Sequence, residues 1–277
     1  MDSQSLFALL GLALILAGVI FYVLFWPAIR RRRILDREFP ESWLRILQRR
    51  LPFFASLSAQ EQQRLLELIR LFLADKQFIG CAGQEIDDDI RITIAAQACL
   101  LVLNRPESHY QNLRSILVYP STFVARREVR DELGLVSTSH TAMLGESWSQ
   151  GKVVLAWDNV EHGVRDLHDG QNVVLHEFAH QLDSESGATN GAPLLLTRGG
   201  YKSWATVFQM EFEQLQQSVL LHQPSLIDEY GATNPAEFFA VATETFFERP
   251  REMAAHHSEL YRELSGFFRI DPARWAQ

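Results

Sequence analysis

Three residues at a fixed spacing carry the clearest chemistry in this chain: His176, Glu177 and His180, inside the apolar run VVLHEFAHQLD at positions 173–183. Side chains four apart on a helix lie one above the other on the same face. The two imidazoles can therefore address one metal ion, with Glu177 beside its open coordination position. This is the arrangement of a catalytic zinc site, in which three protein ligands leave a fourth place for water. The third ligand must come from elsewhere, because the position six beyond His180 is Ser186. Two carboxylates offer it. Glu237 follows Asn234 and Pro235, a pattern that starts a helix, and Glu244 lies two turns further along the same face. Asn234 and Glu237 also have capping-box spacing, so Glu237 could bond back to its own helix start. The residues alone leave that choice open. Asp183 either accepts a proton from the non-metal nitrogen of one imidazole or closes the helix end before the loop that follows. His162 and His168, in the polar connection before this helix, read as solvated loop side chains, and His256 and His257 are weaker ligand candidates still.

The elements needed to position these residues are mostly helical. Apolar spacing predicts helices over 58–74, where Ser58 and Glu61 form a capping box, and over 87–103, 201–221, 234–247 and 258–267. SILVY at 115–119, stopped by Pro120, reads as a strand, as does 151–157 just before the H-E-x-x-H helix. Segments 123–129 and 135–138 are weaker strand candidates. The Gly-rich stretch 184–200 reads as a loop that can move over the site. The fold class expected is α+β, mainly α, with a small β-sheet.

HEFAHQLD followed by YGATNPAEFFAVATETFF resembles the MtfA (Mlc titration factor A) family of zinc metallopeptidases, over most of residues 70–265. The same motifs are similar to those of the anthrax lethal factor catalytic domain. The resemblance implies a zincin-like metallopeptidase domain with one Zn²⁺ per chain, held by His176, His180 and Glu237. It implies Glu177 as general base and Tyr230 as a hydroxyl donor to the substrate carbonyl. It also implies that strand 152–157 offers its edge to an extended peptide. The expected partner is a peptide or protein substrate. The family is further associated with binding the transcriptional repressor Mlc, so the alternative expectation is a zinc-containing regulatory protein that captures such a regulator without relevant proteolysis.

Positions 6–26 form an uncharged, mostly apolar run that as a helix would cover about 31 Å, against a hydrocarbon core of about 30 Å. Arg30, Arg31, Arg32 and Arg33 follow directly. An uncleaved single-pass anchor in the cell membrane is expected, with the catalytic domain in the cytoplasm by the positive-inside rule. The expected organisation is a transmembrane anchor at 1–29, a basic juxtamembrane linker at 30–57 that can lie on anionic headgroups, and the peptidase domain at 58–277. The soluble pattern of the resembling family has no such anchor, which sets this chain apart. The net charge is −8, and the basic residues near the amino terminus leave the remainder more acidic still. That balance argues against a nucleic-acid partner. Two cysteines, Cys81 and Cys99, make no disulfide framework and suit a reducing compartment.

Overall fold

The computed structural model describes residues 3–105, 110–121, 124–130, 136–142, 151–195 and 197–275. Its helices are α1 (Ser3–Leu35), α2 (Glu41–Arg50), α3 (Ala59–Asp75), α4 (Asp88–Leu100), α5 (Trp157–Arg165), α6 (Val173–Ser184), α7 (Arg198–Leu220), α8 (Pro235–Glu248), α9 (Pro250–His256) and α10 (Ser258–Phe268). Its strands are β1 (Gln77–Gly80), β2 (Ser115–Tyr119), β3 (Val124–Arg130), β4 (Val136–Ala142) and β5 (Lys152–Ala156). Positions 123 and 135, where two of the expected strands begin, lie outside the described residues.

The chain divides into two units, Met1–Pro40 and Glu41–Gln277. The first is helix α1, whose part Gly11–Leu35 is long and apolar enough to cross a membrane. Leu14, Leu16, Tyr22 and Leu24 are exposed along it, and Arg32 and Arg33 close its last turn. The second unit opens with α2, which buries Leu47 and ties Arg49 and Arg50 to Asp89 of α4.

A helix that is apolar on every side needs protein on every side, and α4 and α8 meet that condition at the centre of the second unit. Around α8, Phe208, Phe238, Phe239, Phe267 and Trp204 pack ring to ring. Phe72 of α3, Tyr110 and Phe178 of α6 form a second aromatic cluster. The sheet is a parallel three-stranded one in the order β1-β2-β5. One face of the sheet, with Ile116, Val118, Val153 and Leu155, is completely buried, and Ser115, Leu117 and Tyr119 on the other are half-buried. Strands β3 and β4 pair antiparallel as a separate ribbon. The mainly helical α+β class expected from the sequence is what the chain adopts. Sequence patterning missed α2, β1, α5 and α9, all short. The connection between strand 152–156 and the H-E-x-x-H helix, expected as polar loop, contains α5 because Trp157, Val160 and Val164 fall at helical spacing.

The loop after α6 is fastened at Gly191. Gly191 donates its N–H to Asp183 at 2.7 Å and accepts from the Trp204 indole at 2.9 Å. Its φ is +77°, and a Cβ there would stand 2.3 Å from the carbonyl oxygen of Pro235, the first residue of α8. We therefore expect Gly191→Ala to destabilise the fold by roughly 2–5 kcal/mol, the sum of a left-handed alanine and a backbone collision. Chemical denaturation measures it. A loss under about 0.5 kcal/mol, the size of an ordinary surface change, would show that Gly191 does not fix α6 against α8.

Candidate metal centre

Helix α6 begins where Asn172 turns its side chain back to accept from the N–H groups of Val174 and Leu175, at 3.2 and 3.1 Å. That cap sets His176 and His180 one turn apart on the face toward α8. Helix α8 begins the same way: Asn234 accepts from Ala236 and Glu237, both at 3.0 Å, with Pro235 at the first turn. Only half of the capping-box possibility is realised. The Glu237 backbone donates to Asn234, while its carboxylate reaches across to the imidazoles of α6.

Three atoms converge between the two helices. His176 Nε2 and Glu237 Oε2 are 3.0 Å apart, His180 Nε2 and Glu237 Oε2 3.3 Å, and the two Nε2 atoms 3.2 Å. A four-coordinate ion with bonds of about 2.0–2.1 Å holds its ligand atoms roughly 3.3–3.4 Å from one another, the edge of a tetrahedron. The cradle therefore has the dimensions of one small tetrahedral ion, and these residues fit a metal.

Glu244 is not in that cluster. Its Oε1 lies 2.7 Å from His176 Nδ1, the nitrogen facing away from the convergence point, and its Oε2 accepts the N–H of Asn172. A carboxylate in that place fixes the tautomer and ring orientation of a ligating histidine. The two carboxylates left open by the sequence thus have different jobs, Glu237 toward the metal position and Glu244 behind His176. Asp183 was a candidate for the second job. Its carboxylate instead accepts the backbone N–H of Gly191 at 2.7 Å, across the loop and beyond the helix end it was expected to close.

The electrostatics follow from packing Glu237 and Glu244 against two imidazoles, with the Glu177 charge nearby. Burial opposes a charge on His176, but hydrogen bonds to Glu237 and Glu244 outweigh it and push its pKa up to about 10 in the absence of metal. Burial likewise opposes the charge on Glu237, and its bonds to both histidines bring it down to about 2. Burial dominates at His180, lowering it, and at Glu244, raising it.

The site opens onto a cleft of about 420 Å³ lined by Glu177, Tyr230, Asp228, Asn159 and His162 beside the convergent cluster. Glu177 is 1% exposed. Tyr230 stands in a short 3₁₀ turn, Glu229–Ala232, capped by Asp228, with its ring 6.0 Å from that of His176. It is 53% exposed at the cleft mouth, and burial together with the Glu237 and Glu177 charges raises its pKa. His162 lines this cleft through α5 but is not in the convergent cluster, and His168 lies elsewhere. Sequence reading passed over Asn172 and Glu248. Asn172 carries the same cap signal as Asn234. Glu248 stands one turn past Glu244 in a mostly apolar helix, a buried carboxyl that needed hydrogen-bond partners.

The family of glucose-regulated metallo-peptidases M90 matches this chain over residues 26–269. An uncharacterized protein of Synechocystis sp. is 43% identical over 262 residues, covering 93% of this chain and 95% of its own. Proteins called Mlc titration factor A are similar along most of their length. That of Salmonella arizonae is 33% identical over 229 residues, 81% of this chain and 89% of the relative. That of an Enterobacter species is 34% identical over 227 residues, 80% and 84% respectively.

Proposed function

The chain belongs to the glucose-regulated metallo-peptidase M90 family, and from that premise we propose that it is a zinc-dependent peptidase with His176, His180 and Glu237 as its metal ligands. The observation that carries this reading is the tetrahedral spacing of the three ligand atoms, with Glu177 buried beside them in an open cleft. Two imidazoles and one carboxylate are a donor set suited to zinc. When bound, zinc would lower the pKa of a coordinated water to about 7 and polarise a substrate carbonyl.

The chain's own groups then divide the work. Glu177 takes the proton of the attacking water and delivers it to the leaving amine. Its position next to His176 on α6 gives it reach into the cleft without making it a ligand. Tyr230, opposite on the 3₁₀ turn, donates a hydrogen bond to the oxyanion as it grows. Strand β5 pairs with β2 on one side only among the described residues, and its other edge is the place for an extended peptide to add main chain to main chain. Zinc analysis of the purified protein, with hydrolysis of a broad peptide library before and after chelation, tests the reading. A zinc-loaded protein without any chelator-sensitive turnover would refute it.

A second reading has a specific support, because relatives along most of the chain carry the name Mlc titration factor A. In it, this chain captures a transcriptional regulator and zinc holds the binding surface. A buried Glu177 favours the peptidase, since a structural zinc site has no use for an uncoordinated carboxylate beside it.

Metal binding should be strongly pH-dependent, because His176 is protonated below about 10 without metal and must be neutral to ligate. Each zinc bound displaces that proton. Apparent affinity should therefore rise about tenfold per pH unit between pH 6 and 8 and fall as the pH is lowered, measurable by competition with a chelator of known protonation. A flat profile would mean that zinc binding displaces no proton from His176.

Helix α1 supports a membrane anchor with the Glu41–Gln277 unit on the cytoplasmic side, since Arg30, Arg31, Arg32 and Arg33 stand at its carboxyl-terminal end. The protein is expected to resist an alkaline wash of membranes, and an export-dependent reporter fused after Gln277 is expected to stay inactive. Release by the wash would overturn the anchor, and an active reporter the orientation.

A further inference from the structure

Helix α8 turns a third buried carboxyl toward α6. Glu248, one turn beyond Glu244, is 4% exposed and bonds to the segment that leads into the H-E-x-x-H helix. Each of its oxygens accepts one N–H, from the Gly170 backbone at 3.1 Å and from Asn172 Nδ2 at 2.9 Å. Asn172 is 3% exposed, and four bonds meet there besides its N-cap role. Its Oδ1 accepts from Val174 and Leu175, its Nδ2 gives to Glu248, its backbone N–H gives to Glu244 Oε2, and its carbonyl accepts the His176 N–H at 2.9 Å. The side-chain amide is thus held at both ends and cannot turn without breaking one of these bonds.

We propose that Glu248 and Asn172 are positioning residues of the metal centre: Glu248 locks the Asn172 amide, Asn172 aims Glu244, and Glu244 sets the ring of His176. The proposal rests on His176 as a metal ligand.

A carboxylate behind a ligating imidazole fixes the ring orientation, and Glu244 stands there, 2.7 Å from His176 Nδ1. That carboxylate is itself held from behind by Asn172, which also carries the backbone of His176. Ring and main chain of one ligand therefore take their place from one residue. Capping α6 needs only the Asn172 oxygen. The bond from Glu248 serves no helix start; what it adds is a fixed direction for the amide and, through Gly170, for the chain leading to it. Burial pushes the Glu248 carboxyl up to about 8, so at pH 7 it is mostly uncharged. Its influence on His176 accordingly runs through hydrogen bonds and not through charge.

Zinc affinity, measured against a competing chelator on the full chain in detergent at pH 7, tests this as a double-mutant cycle. Glu248→Leu removes both acceptors and is expected to weaken zinc about 3–10-fold, at or below the low end for groups that touch a ligand directly. Asn172→Ser keeps a capping oxygen but loses the Nδ2 donor, and is expected to fall in the same range should Glu248→Leu fold poorly. Either change leaves buried groups unpaired, so a lower melting temperature by itself decides nothing. The cycle does: in a Glu244→Gln background, whose amide can accept from only one of the two donors Glu244 serves, adding Glu248→Leu is expected to change zinc affinity by less than about twofold, the usual error of additivity. With Co²⁺ in place of zinc, the visible absorption band, which reports ligand geometry, is expected to move in Glu248→Leu in the same direction as in Glu244→Gln. Zinc affinity in Asn172→Ser within about twofold of wild type, an equal loss from Glu248→Leu in both backgrounds, or an unmoved cobalt band would overturn the positioning role while leaving the metal and peptidase readings intact. Wild-type protein that binds no zinc would overturn the metal reading and this proposal with it.

Discussion

Glu177→Gln is expected to lower peptide turnover by at least about 10²-fold, the low end of what a positioned general base contributes, while zinc content and melting temperature stay near wild type. The substitution is nearly isosteric and removes charge from a side chain assigned to chemistry but not to metal binding. Its burial beside the cluster makes it the group best placed to hold the proton of the attacking water. Tyr230→Phe is the comparator. It is expected to cost less, because the hydroxyl stands at a half-exposed position where water competes and a bound zinc would still polarise the carbonyl. Equal, negligible turnover by wild type and both variants, in protein that still binds a cytoplasmic regulator, would favour the capture reading instead.

Glu237→Gln is expected to abolish tight zinc retention, whereas Glu244→Gln should weaken it by about 10–100-fold, the range for groups that orient a ligand. The two carboxylates stand on one face of α8 and are both buried, so burial does not separate them. Their partners do: Glu237 meets the Nε2 atoms of both histidines, and Glu244 meets only the Nδ1 of His176. Metal analysis after dialysis against a weak chelator decides it. Full retention in Glu237→Gln with loss in Glu244→Gln would reverse the assignment, requiring the His176 ring to be turned over in the loaded protein. His176→Ala and His180→Ala should each release the ion as well, but neither distinguishes the two glutamates.

Much of this site was legible before any fold was known, because its central part is local. The four-residue step from His176 to His180 is a property of one helix, fixed by 3.6 residues per turn wherever that helix sits. The caps at Ser58 and Asn234 were equally readable, since each depends on a few neighbouring residues. So was the apolar length of α1, which is a matter of composition. Short elements such as β1 and α9 were not legible, because a few residues give too little periodicity to set against a turn.

What the sequence by itself determined, then, was the pair of imidazoles, the carboxylate between them and a short set of acids able to complete the set. Which acid completes it was a tertiary decision. Glu237, Glu244 and Glu248 share one face of α8 at steps of seven and four, so helical geometry ranks none above another. With Gly191 bonded to Asp183 and lying close against the Pro235 carbonyl, α8 packs against α6 at a height that brings Glu237 level with the two Nε2 atoms. The same packing leaves Glu244 behind His176 and Glu248 under Asn172. Interactions within a helix are set by its own turn, but the pairing of two helices depends on every side chain packed between them, and no window of sequence contains that sum.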